Sequence, residues 1–106
     1  MRESLIEAHL VKRVKALGGE VRKVKFIGRN GAPDRLVMLP AVHFRIGWPD
    51  SPDLLEVKGP ITFWVELKAT GRKAEPHQVR EHERMRKMGQ LVYVIDSIEG
   101  VDALLG

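Results

Sequence analysis

The chain has 106 residues and is 43% hydrophobic, enough for one small domain with a thin core, so pairing with a second copy is expected. It has no cysteine, which excludes a disulfide framework and a thiolate zinc site, and no apolar run approaches the ~20 residues of a membrane span. The net charge is +4, and it is gathered into blocks that attract phosphate backbones and serve equally as solvated surface.

One basic block lies in residues 11–29, where Lys12, Arg13, Lys15, Arg22, Lys23, Lys25 and Arg29 face Glu20 alone. The other lies in residues 68–87, where Lys68, Arg72, Lys73, Arg80, Arg84, Arg86 and Lys87 face Glu75, Glu81 and Glu83. The first ten residues include two glutamates and lack the apolar centre of a signal peptide, so a soluble intracellular protein of the cytoplasm is expected.

In chain order, Ile6, Leu10, Val14 and Leu17 recur at helical spacing and predict a helix over 3–17, stopped by Gly18 and Gly19. Glu7 falls at the edge of its buried stripe, which by itself marks an ordinary boundary glutamate. Residues 20–26 read as a strand in which Val24 and Phe26 share a face and Val21 is out of phase. Gly28 to Pro33 is a turn signal. Asp34 then opens a second strand whose apolar run, Leu36 to Leu39, predicts cover on both faces.

Residues 40–60 are punctuated by Pro40, Pro49, Pro52 and Pro60 and read as an irregular loop or a hairpin around His43 to Ile46, with Trp48 as its anchor. Residues 61–67 form a strand with Ile61, Phe63, Val65 and Leu67 on one face and Thr62, Trp64 and Glu66 on the other. A basic loop leads to Pro76, which suits the first turn of a polar helix running to about Met88. That helix offers only Val79, Met85 and Met88 to a core. Leu91 to Ile95 is a final strand, and Ser97 caps a short last helix. The order is α-β-β-β-α-β-α, an α/β domain with a mixed central sheet flanked by helices.

The charged residues at the exit of the third strand are the candidates for chemistry. If the strands after Gly31-Ala-Pro33 and before Lys68 are antiparallel neighbours, Asp34 and Glu66 approach within reach of one cation. Two carboxylates with a backbone carbonyl and waters suit Mg²⁺ or Mn²⁺. Such an ion polarises a phosphate and lowers the pKa of an attacking water. Lys68 would orient or deprotonate that water, or stabilise the transition state. Glu56-Val-Lys58 repeats the tripeptide but lies in the proline-rich stretch with no apolar strand ahead of it, and is set aside.

The histidines His9, His43, His77 and His82 show no metal spacing and read as surface or boundary residues. Trp64 would touch nucleic acid or, with more weight, pack under the first helix. No glycine-rich phosphate loop is present, so no nucleotide or other small-molecule cofactor is expected.

Together these pieces resemble the VRR-NUC family of the PD-(D/E)xK nuclease superfamily. The resemblance rests on Gly31-Ala-Pro-Asp34, on Phe63-Trp-Val-Glu-Leu-Lys68 with Gly71-Arg-Lys73, on Pro76-His-Gln78 and on the ending Gly89 to Ser97. It spans essentially the whole of 1–106 and implies a single stand-alone domain with a restriction-endonuclease-like αβββαβ core; segment 40–60 departs from the family by its length and prolines.

The resemblance also implies metal-dependent DNA phosphodiester hydrolysis. Asp34 and Glu66 would be metal ligands with the Leu67 carbonyl, and Lys68 the catalytic lysine. Glu7, acting through a water, and Gln78 would complete the site. Arg72, Lys73, Arg80 and Arg84 are the expected phosphate contacts. Small stand-alone members resemble Holliday-junction resolvases, which implies branched DNA and a homodimer. A non-catalytic nucleic-acid-binding module of the same fold and a flap or single-strand nuclease are the alternative readings.

Overall fold

A computed structural model describes the backbone of residues 1–47 and 54–106, and the side chains outside 41–58. Its elements are α1 (Glu3–Ala16), β1 (Glu20–Lys23), β2 (Arg35–Gly47), β3 (Leu54–Leu67), α2 (Pro76–Lys87), β4 (Val92–Ile95) and α3 (Ile98–Leu105). The described strands make one sheet in the order β1-β2-β3-β4. The first three run antiparallel and β4 lies parallel to β3, so α2 is the crossover that parallel pairing requires.

The helical stripe works as the spacing predicts: Ile6, Leu10 and Val14 are all fully buried. They meet Val37, Leu39, Phe63, Val65 and Leu67 from the sheet, and Val101, Leu104 and Leu105 from α3. Side chains of this size contribute roughly 2 kcal/mol each on burial. Glu3 at the start of α1 and Arg13 and Lys15 at its end suit the helix dipole. His9 and Arg13 both reach Asp102, the former at 2.7 Å, and fasten α1 to α3. Ser97 Oγ accepts from Gly100 N–H at 2.9 Å and caps α3 as expected.

Four features differ from the sequence reading. β1 stops at Lys23, although Val24 N–H still donates to the Asp34 carbonyl at 2.9 Å. Val21 packs against the α1 core, whereas Phe26 leaves the sheet and meets the Trp64 ring at 5.3 Å. Trp64 thus lies on the face away from α1, where its Nε1–H donates to Gln90. In β2, Val37 and Leu39 are buried while Leu36 and Met38 are half-buried, so the apolar run is fully covered on one face only.

The proline-rich stretch is also more regular than expected. β2 and β3 form a long hairpin with pairs from Arg35↔Val65 to Leu39↔Ile61, then from Val42↔Gly59 to Gly47↔Leu54. The register slips at Pro40 and Pro60, neither of which has an N–H for the ladder. Trp48 lies outside the described residues. Glu56 and Lys58 sit within β3, so their place in an irregular loop does not hold; what separates them from Asp34 is roughly 30 Å of strand.

Candidate active site

The hairpin register delivers the two acidic residues to one place. Arg35 pairs with Val65 and Leu36 with Trp64, so the next step of the ladder sets Asp34 opposite Glu66, on the sheet face turned towards α2. Residues directly opposite in an antiparallel pair have Cβ atoms ~5 Å apart. The charge of Asp34 is felt at Glu66, which is 7% exposed: burial first, then Asp34, pushes the Glu66 carboxyl up to about 7. Lys68 opposes this shift, and Glu3 on α1 adds to it.

Arg35 explains how carboxylates crowd here without dispersing the turn. Alternation along β2 puts it on the buried face with Val37 and Leu39, and it is 8% exposed. Its Nε donates to Glu7 at 2.8 Å and its guanidinium pairs with Asp34 at 2.8 Å. Burial alone would lower its pKa; the hydrogen bond to Glu7 and the Asp34 charge outweigh that and hold it above the ordinary value. Glu7, with Lys23 a further 3.9 Å neighbour, thus connects to Asp34 through Arg35 rather than directly.

Lys68, one residue beyond β3, donates from Nζ to Gln78 Oε1 at 2.8 Å. The same oxygen accepts the Glu75 N–H at 2.8 Å, half of a capping box that starts α2 at Pro76. Gln78 is therefore placed by helix capping and in turn places Lys68.

α2 holds the Asp34 turn in three ways. Arg29 Nε donates to the buried Glu81 at 3.0 Å. The ring of His82 hydrogen-bonds the Gly31 backbone. Gly31, at φ +86, lies so close to α2 that an added Cβ would stand 2.7 Å from the His77 carbonyl oxygen, which only glycine permits.

The buried side of α2 is consequently Glu81, His82 and Met85, while Val79 and Met88 are exposed. This corrects both the expected apolar seam and the reading of His82 as a surface or boundary residue. His82 is 1% exposed, with Nε2 3.9 Å from Glu66 Oε1. Burial, with the Arg86 charge, lowers its pKa. The signal for it was present: Gln78 and His82 are four apart and share a helix face. Arg35 was legible too, as a cation in phase with a buried strand face.

Of the expected phosphate contacts, Arg72, Lys73 and Arg80 are exposed, and Arg84 pairs with Glu81 at 3.7 Å. Lys23, Lys25 and Arg29 were not singled out, yet with Phe26, Asp34 and Arg35 they line a groove of about 400 Å³. The donor set at its end, two facing carboxylates with one raised by burial and by the charge of the other, fits a hard divalent cation. Among the described residues no three or more His, Asp or Glu side chains converge as a metal cluster, so further ligands would be a backbone carbonyl and water. Among them, too, no helix is long and apolar enough to cross a membrane.

No family model matches the chain. It is 42% identical over 97 residues to the protein named "Putative nuclease p44" of Acyrthosiphon pisum secondary endosymbiont phage 1, covering 92% of this chain and 85% of that one. Among solved structures it is similar to one described as "VRR_NUC domain", at a TM-score of 0.69 and 39% identity, covering 94% of this chain and 89% of the other.

Proposed function

The chain belongs to the VRR-NUC nuclease family, and from that membership we propose that it is a Mg²⁺- or Mn²⁺-dependent endodeoxyribonuclease acting on branched DNA as a homodimer. The observation that carries the reading is the register that sets Asp34 opposite Glu66, with Lys68 fixed on Gln78 beside them. Held by the two carboxylates and the Leu67 carbonyl, a divalent ion would polarise the scissile phosphate and acidify the attacking water.

The chain's own residues do the rest. Lys68 presents a positioned ammonium to the phosphate or to the water, and Gln78 limits its wandering. Arg35 keeps the Asp34 side chain in place while Glu7 balances the buried guanidinium. Lys23, Lys25 and Arg29 along the groove, with Arg72, Lys73 and Arg80 beyond the site, attract the phosphate backbone and make binding salt-dependent. The preference for branches and the dimer rest on symmetry: a four-way junction is two-fold, and paired nicks need two sites in one particle.

The test is a substrate panel of four-way junction, flap, linear duplex and single strand, each with Mn²⁺ or EDTA, alongside light scattering of the free protein. Junction cleavage in Mn²⁺ by a dimeric protein supports the proposal. Preferential cutting of flaps or single strands would replace its substrate, and cleavage in EDTA would remove its metal.

A further inference from the structure

We infer that His82 is a positioning residue, the strut that sets Glu66 against the Asp34 turn so that both carboxylates face one divalent ion. The inference rests on the metal-site reading and adds to it a residue outside the ligand set.

The ring bridges the two halves of the site. His82 hydrogen-bonds the Gly31 backbone, three residues before Asp34 in the turn that β2 grows from. Its Nε2 is buried, has no hydrogen-bond partner and lies 3.9 Å from Glu66 Oε1. The nitrogen engaged with Gly31 is thus Nδ1. A contact of 3.9 Å is too long for a hydrogen bond, and a buried polar atom left without one is rare and calls for an occupant.

The surroundings supply one candidate position. α2 is locked over the turn by the Arg29–Glu81 pair and by the close approach of Gly31 to His77, so the ring has little freedom to swing away. Glu66 faces it from β3. One shared water, donating to the unprotonated Nε2 and to a Glu66 oxygen, bridges the two and leaves the other carboxylate oxygen aimed at the ion. Residues behind metal ligands act in this way, fixing ligand orientation, and their loss costs 10–100-fold in metal affinity.

The test reads binding rather than turnover. Mn²⁺ is titrated calorimetrically into wild type, His82→Leu, His82→Gln and Glu66→Gln, with thermal melts in EDTA to establish folding. The expected result is affinity about 10–100-fold weaker in His82→Leu, partly recovered in His82→Gln, whose amide can span both partners. Equal Mn²⁺ affinity in wild type and folded His82→Leu overturns the inference while leaving the metal site intact. No Mn²⁺ binding by wild type overturns the metal-site reading and the inference with it.

Should His82→Leu fail to fold, the wild-type protein suffices. In ¹⁵N spectra of the histidine rings, Mg²⁺ should move the His82 Nε2 resonance more than Nδ1. An Nε2 resonance unmoved at saturating Mg²⁺ overturns the inference.

Discussion

Lys68 Nζ donates to Gln78 Oε1 at 2.8 Å, and that oxygen also accepts the Glu75 backbone N–H at 2.8 Å. One side chain therefore starts α2 and holds the lysine. Gln78→Ala should cost about 1 kcal/mol of stability through the lost cap and lower kcat about tenfold or more through the loosened lysine. Gln78→Glu retains a capping acceptor and should keep stability within about 0.5 kcal/mol. Melts and kcat on the three proteins check this; an unchanged kcat in Gln78→Ala would detach the lysine from its anchor.

Gly31 and Gly89 separate two kinds of glycine requirement. Both have positive φ, at +86 and +85, but a Cβ on Gly89 meets nothing within 4 Å whereas one on Gly31 meets α2 backbone. Gly89→Ala should cost only the left-handed conformation, about 1–2 kcal/mol. Gly31→Ala must also push α2 from the turn and should cost clearly more, read as a lower denaturant midpoint. Equal losses would mean that α2 does not press on the Asp34 turn.

Arg35 is the buried cation between Glu7 and Asp34. Arg35→Met removes its charge at roughly constant volume and should destabilise by about 3 kcal/mol, because it strands the part-buried Glu7. Adding Glu7→Gln should recover part of that loss. A double mutant whose loss is the sum of the two single losses would show that the pair is not coupled.

The Glu66 carboxyl is pushed up to about 7 from 4.5. A carboxylate raised on folding keeps a proton that the unfolded chain has released. Stability in EDTA is then fullest below about 4.5, falls as pH rises, and levels off above about 7, a total of about 3 kcal/mol. Glu66→Gln lacks this loss, so its melting temperature should match wild type near pH 4.5 and exceed it at pH 8. Mn²⁺ should raise the wild-type value at pH 8 and leave Glu66→Gln nearly unmoved. A wild type more stable than Glu66→Gln at pH 8 in EDTA would contradict the assignment.

Much of this was legible in the sequence where partners lie on one element or on a hairpin. The stripe Ile6, Leu10, Val14 needs only a helical period. The meeting of Asp34 and Glu66 needs only that two successive strands pair antiparallel. The less legible parts depend on a third element. His82 looked superficial because α2 offers few apolar residues, yet α2 is held by polar contacts to the Asp34 turn rather than by an apolar seam. Alternation placed Trp64 on the Glu66 face, but not its partner there: Phe26, beyond the end of β1, meets it in place of the first helix. The prolines at 40 and 60 suggested a loop, but facing each other across one register slip they interrupt a ladder that continues beyond them.

The most direct test of the account is plasmid nicking in Mn²⁺ by wild type and Lys68→Ala, with both shown to be folded. Nicking by wild type that EDTA abolishes, with Lys68→Ala at least about 100-fold slower, is the predicted result. Equal nicking by the two proteins would contradict it.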